Sequence, residues 1–270
     1  MSTNIVEAGA SHLPASGTHE FEENGSFVRP RLLRVSEVER ECASTSSLRC
    51  VLEWVRVFLA RPNPQLGRKG TVCPFVPTAL TLDTIWMAEV PEADPSFERI
   101  ATIISEYRDV YLSMEPTSGA EAKNKAFLVV FPALVARGAD GAQVVDKVQA
   151  NLKKYFVETG LMLGEFHAAN ESPGLHNPEF RPLRSPIPML AIRHMVESDL
   201  PFLTRESYPP KERSSFLRSY LFRLGGSLSP VRFNEALDGF VTAEISTLVM
   251  RASAGEMTAL NSIIHTVGAL

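Results

Sequence analysis

An α+β fold, with a roughly five-stranded mixed sheet packed with helices and followed by an all-helical C-terminal segment, is what this 270-residue sequence predicts. Three observations carry it. Short apolar runs bounded by turn residues recur between residues 71 and 195. Two of the gaps between them switch to helical spacing, and after Ser198 only helical spacing remains.

Residues 1–35 are rich in Ser, Gly, Glu and His without apolar periodicity and read as a disordered leader, which makes His12 and His19 bystanders. Residues 36–270 read as a single domain, its sheet core at about 48–196 and its helical segment at about 198–268. "LRCVLEWVRVFLA" (48–60) places Leu48, Val51, Leu52, Val55, Phe58 and Leu59 on one helical face, and the prolines and turn residues of "RPNPQLGRKG" end that helix. The five strands are assigned to "TVCPFV" (71–76), "TIWMAEV" (84–90), "AFLVVFP" (126–132), "LMLGEFH" (161–167) and "MLAIRHM" (189–195). Helical stretches lie at 97–114 and at 141–160, the second stopped by Gly160. The C-terminal helices are "SDLPFLT", "KERSSFLRSYLFRL", "RFNEALDGFVTAEISTLVMRA" and "AGEMTALNSIIHTV", with Ser198 and Ser229 at cap positions and Gly225-Gly226 as a stop.

Composition excludes several function classes. A net charge of −4 and a pI near 5.9 argue against general binding to nucleic acid or anionic membranes, which needs a surplus of Lys and Arg. Cys42, Cys50 and Cys73 form no CxxC pair, so neither a disulfide scaffold nor a zinc cluster is expected, and a reducing cytoplasm fits. No apolar run reaches spanning length and the start carries no signal-peptide pattern.

Several residues could carry chemistry. Cys73 follows the basic turn of Arg68 and Lys69, which could lower a thiol pKa, but between Val72 and Phe75 it reads first as a small buried hydrophobe. His167 ends a strand, where α/β folds place ligand crevices, and Glu165 shares its strand face, so the two could form an acid/base couple. His194 alternates with Arg193, so one of the pair needs a partner in the core. His265 reads as packing on the last helix. The segment "GLHNPEFRPLRSPIP" (174–188) holds four prolines with His176, Arg181 and Arg184. Stiffly held guanidinium groups suit carboxylates or phosphates and a neutral histidine can ligate a metal. The plain alternative is a surface loop whose arginines bridge the sheet to the C-terminal helices.

Two motifs, Gly-Arg-x-Gly-x-Val-Cys-Pro-Phe from Gly67 and Leu-x-x-Pro-Ile-Pro-x-Leu-Ala-Ile-Arg-His-Met from Leu183, resemble a family of uncharacterised bacterial domains often found beside natural-product genes, over about residues 45–270. A more distant likeness is to the YqcI/YcgG family, in which haem-dependent oxygenases hydroxylate a guanidino nitrogen and a Pro-x-His segment followed by Arg and Ser supplies the axial ligand. That resemblance implies haem b held by His176, with Arg181, Arg184 and Ser185 standing in for the rest of the segment. Here two residues separate Pro173 from His176, and His167 is a rival for the iron. Glu165 and His167 would serve as proton donors. The implied function is a haem-dependent N-oxygenase of an amine- or guanidine-bearing small molecule, supplied by an electron donor or peroxide, with a homodimer allowed. The alternative is a non-catalytic module on the same scaffold that binds a small molecule, haem or a protein.

Overall fold

The structure is a computed structural model and describes residues 29–253. Strand β1 (Leu33–Arg34) leads into α1 (Val35–Glu41) and α2 (Ser47–Trp54), and the chain then widens into a π-helical turn at Val55–Leu59. Helix α3 (Val76–Thr81) precedes β2 (Ile85–Glu89); α4 (Phe97–Ser113) and the short α5 (Gly119–Lys123) precede β3 (Ala126–Val130). Helix α6 (Gly138–Glu158) runs straight into β4 (Leu161–Phe166), and a long connection joins β4 to β5 (Met189–His194). Helices α7 (Leu200–Leu203), α8 (Pro210–Leu224) and α9 (Pro230–Ser253) follow.

The strands lie in the order β1-β2-β3-β5-β4. Only β2 and β3 pair in parallel, and α4 lies on the crossover that a parallel pair requires. Alternation sorts side chains onto two faces. Trp86, Phe127, Val129, Leu190 and Ile192 face α4 and α6 in one core, while Met87, Leu128, Val130 and Met189 face α1, α2 and the π-turn in another. Beyond the β4 edge, Met162 and Met195 meet Leu200, Leu203, Phe216 and Tyr220 in a third cluster that seats the C-terminal helices.

Local chemistry sets the element ends. Ser46 and Ser96 accept from the N–H groups of Arg49 and Arg99 at 3.3 and 3.2 Å, capping α2 and α4. Gly160 takes φ +81 just after α6, a conformation that a Cβ disfavours. At the partly negative C-terminal end of α4, the Lys125 ammonium donates to the Tyr111 and Met114 carbonyls, each at 2.7 Å.

The sheet has five strands, but one differs from expectation. "TVCPFV" is not a strand: Thr71 makes an isolated bridge to Pro62, Pro74 has no N–H to give a ladder, and Pro77 sits in the first turn of α3, where its fixed φ suits a helix. The fifth strand is β1, inside the segment read as a leader, and it pairs with β2 through Leu33 and Arg34. Ser198 does not cap a helix; it lies in a 3-10 turn at Glu197–Asp199, where the Asp199 carboxylate accepts the Val196 N–H at 2.8 Å. Ser229 does accept from the Arg232 N–H, at 3.4 Å, where α9 begins. His12, His19, the expected helix at 254–267 and its His265 lie outside the described residues. No described helix is long and apolar enough to cross a membrane.

Candidate functional site

The proline-rich connection is pinned along its length. Asn177 donates to the Gln65 carbonyl at 2.7 Å, the Gly174 N–H donates to the Phe180 carbonyl at 2.8 Å, and the buried Phe180 ring packs 6.0 Å from that of Phe58. Gly67, at φ +75, lies against this loop so closely that a Cβ there would sit 2.5 Å from the His176 carbonyl oxygen. Only glycine permits that approach.

The loop's cations turn inward on themselves. Arg181 donates to one oxygen of Glu171 at 2.9 Å and Arg184 to the other, and Arg184 also reaches the Asn170 carbonyl at 3.2 Å. The two guanidinium groups hold the Glu171 carboxyl below the usual carboxylate range. The Ser185 hydroxyl donates to the Ile187 carbonyl at 2.8 Å, closing a turn. The His176 side chain is exposed and borders neither cavity described below. A haem held here needs an apolar slot beside the axial imidazole and free cations for its propionates. His176, Arg181, Arg184 and Ser185 as arranged do not fit that group. Among the described residues no cluster of three or more His, Cys, Asp or Glu could hold a metal ion either.

Glu165 on β4 and His167, one residue past its end, border the same groove but meet different partners. His167 is 3% exposed, its Nε2 lies 2.8 Å from Asp146 on α6, and its Nδ1 is buried without a partner. Burial pushes the Glu165 carboxyl pKa up. Both border a shallow groove with Asp146, Gln149 and Asn170. Glu165 and Gln149 also border a second cleft, more enclosed and more apolar than the groove.

That cleft, about 220 Å³, lies over the β4–β5 end of the second sheet face and wraps the β4 edge toward α6. Phe75, Val76, Leu128, Phe166 and Ala191 give it an apolar wall, with Cys73 at its margin. Cys73 packs on the second core and its N–H donates to the Leu59 carbonyl at 2.9 Å. Two cations at the cleft are spent on structure. Lys125 holds the end of α4, and Arg193 makes a two-pronged pair with the buried Asp199 at 2.7 and 2.6 Å. Arg193 is thus the core-partnered member of the Arg193–His194 pair. The His194 ring packs 5.1 Å from the Tyr111 ring, and burial lowers its pKa.

Besides the exposed Lys123, three side chains bear on the cleft's chemistry. Lys153 of α6 is 5% exposed; its ammonium donates to the Phe202 carbonyl at 3.0 Å and to the Tyr208 hydroxyl, and lies over the Tyr208 and Phe216 rings. Burial, with the nearby positive charge of Arg205, draws its pKa from 10.5 to about 8, while Glu165 pulls the other way. Burial also raises the Tyr208 hydroxyl. Arg205 is half-buried, 5.5 Å from the Phe202 ring, and among the described residues no carboxylate lies within ion-pair distance of it. An apolar cleft that gathers two cations beside one carboxyl whose charged form burial disfavours is suited to an anion.

A family model matches residues 48–231. The chain belongs to DUF6875, a domain of unknown function. The DUF6875 span contains every residue that borders the cleft and leaves out β1 and α1. No curated protein and no solved structure matches the chain.

Sequence reasoning singled out Glu165, which borders the cleft of this DUF6875 domain, and did not single out Lys153, Arg205 or Tyr208. Lys153 carried a signal. Val145, Val148, Gln149, Leu152, Lys153 and Phe156 follow one helical stripe, so a lysine at that position falls on the buried face. Arg205 and Tyr208 lie between α7 and α8, in a segment without periodicity, and nothing local marks them.

Proposed function

We propose that the cleft binds a small organic anion, its carboxylate or equivalent head at Arg205 and its apolar body along Phe75, Val76 and Phe166. The observation that carries this reading is the half-buried Arg205, which makes no ion pair among the described residues, meets the Glu165 carboxyl only through longer-range attraction, and stands beside a buried lysine. Guanidinium groups that hold anions bidentately are normally paired when buried. Size limits the ligand. Drug-sized ligands occupy roughly 300–1,000 Å³, and this cleft is smaller, about 220 Å³, which favours molecules of benzoate size. The chain is on this reading a small-molecule binding domain, and the exposed His176 with the inward-paired Arg181 and Arg184 lends nitrogen oxygenation no support. Its free Cys42, Cys50 and Cys73 support a reducing, cytoplasmic setting as part of the same proposal.

Calorimetric titration with benzoate-sized carboxylates and their primary amides tests the reading. The carboxylates should bind and the amides should bind more weakly. Arg205→Ala should cost the carboxylates on the order of tenfold in affinity, the size of a lost charge-assisted hydrogen bond, and leave the amides unchanged. Equal binding of acids and amides would remove the anion from the proposal.

A further inference from the structure

We infer that Lys153 is a nucleophilic amine that condenses with the carbonyl group of an aldehyde or ketone ligand seated in the cleft. The inference rests on the reading above for the ligand's anionic end and adds a reactive centre to it.

The contrast between two buried lysines carries it. Burial lowers the pKa of both, but Lys125 points its ammonium at two carbonyls on the partly negative end of α4, an arrangement that rewards a positive charge. Lys153 has one carbonyl, that of Phe202, one hydroxyl, that of Tyr208, and no carboxylate within ion-pair distance among the described residues. This cage serves the neutral amine equally well. An uncharged Nζ can accept from the Tyr208 O–H while one of its own N–H groups donates to Phe202. Burial favours that form, and a lysine lowered to about 8 keeps roughly a tenth of its population as free base near neutral pH. Lys153 also borders the cleft, together with Glu165 and Arg205. A buried amine in reach of a ligand space, beside a hydroxyl and a carboxyl that can hold or move protons, has the parts that imine formation needs.

The step balances without an added reagent. The amine lone pair adds to the carbonyl carbon and the C=O π electrons move to oxygen. That oxygen takes up protons, the C–O bond breaks, and oxygen leaves as water carrying the two hydrogens the amine gave up. A carbon–nitrogen double bond replaces the carbon–oxygen double bond. Nothing is oxidised or reduced. Arg205 fixes the anionic end, which makes oxo acids with an apolar body the matching ligand class.

Reductive trapping on the full chain tests this. The protein is incubated with para-carboxybenzaldehyde and cyanoborohydride, digested, and mapped by mass spectrometry. Lys154, its side chain 57% exposed on the same helix, is the internal control. Lys153 should be labelled faster than Lys154 by about tenfold or more despite its burial. Its rate should fall as pH drops below about 8, benzaldehyde should label it more slowly, and para-methylbenzoate should protect it. Labelling of Lys154 at an equal or higher rate overturns the inference. If Lys153 stays unlabelled while para-methylbenzoate binds, the imine is wrong and the anion site stands. If benzaldehyde labels Lys153 as fast as the acid and para-methylbenzoate gives no protection, the nucleophile stands and the anion site is wrong.

Discussion

Lys153→Met removes a buried charge while keeping an unbranched, flexible side chain that can fill the same space. The folded chain holds the Lys153 proton less tightly than the unfolded chain does, at about 8 against 10.5. Below the folded value both states are protonated, and the folded state bears an ammonium that burial disfavours by on the order of 3 kcal/mol. Between about 8 and 10.5 the unfolded chain keeps the proton and the folded chain releases it. The unfolded state then binds more protons, so stability rises with pH across that window and the penalty disappears above it. Methionine has no proton to release. Urea unfolding of both proteins at a series of pH values reads this group, together with the response of Glu165, whose pKa its charge lowers. The difference in unfolding free energy should move in favour of the wild type by about 3 kcal/mol from pH 7 to beyond 10, with most of the movement above pH 8. A difference that stays flat across that range would show that Lys153 is not held as a disfavoured charge, and both the anion site and the amine chemistry would lose their footing.

Glu165→Gln should show the complementary dependence. The folded carboxyl binds its proton more tightly than the unfolded one, so wild-type stability from this group is complete below the ordinary value of 4.5 and is lost as pH rises through the raised folded value. The variant should therefore gain relative stability from pH 4 to pH 7, and a loss in urea titrations would contradict the assignment. Gly67→Ala forces a side chain into the left-handed region and against the His176 carbonyl; it should cost roughly 1–3 kcal/mol and open the 174–184 loop to limited proteolysis, whereas wild-type protection in the variant would refute the close packing. Haemin titration should give the spectrum of unbound haemin, unchanged by His176→Ala. A shifted Soret band lost in that variant would restore the oxygenase reading.

The helical layers were legible because their periodicity is complete: Ile100, Ile103, Ile104, Tyr107 and Tyr111 of α4 are all fully buried on the stripe that the sequence shows. Strands β2 to β5 were legible as apolar runs. The exchange of "TVCPFV" for β1 has a physical cause, since Val72 and Phe75 point inward from an irregular segment that prolines keep out of a ladder, while a two-residue strand has no period to read. Glu165 and His167 could be put on one side because strand alternation carries one residue past the end of β4, and both do border the groove. The proline loop misled for a different reason. Arg181 and Arg184 look available in sequence, and it is Glu171, ten residues before Arg181 and unremarkable by itself, that consumes both. Lys153 was visible in principle as a charge on a buried stripe. Arg205 and Tyr208 reach the cleft only because α7 and α8 pack on the β4 edge, and tertiary packing of that kind leaves no local mark.

The central claim, an anion site in the cleft, is tested most directly by locating a heavy-atom benzoate. Crystals soaked with para-bromobenzoate and measured at the bromine edge should show an anomalous peak along the apolar wall near Phe75 and Phe166, with the carboxylate directed at Arg205. A peak at the exposed Arg181–Glu171–Arg184 cluster instead, or an empty cleft at a soak concentration that saturates binding in solution, would contradict the account.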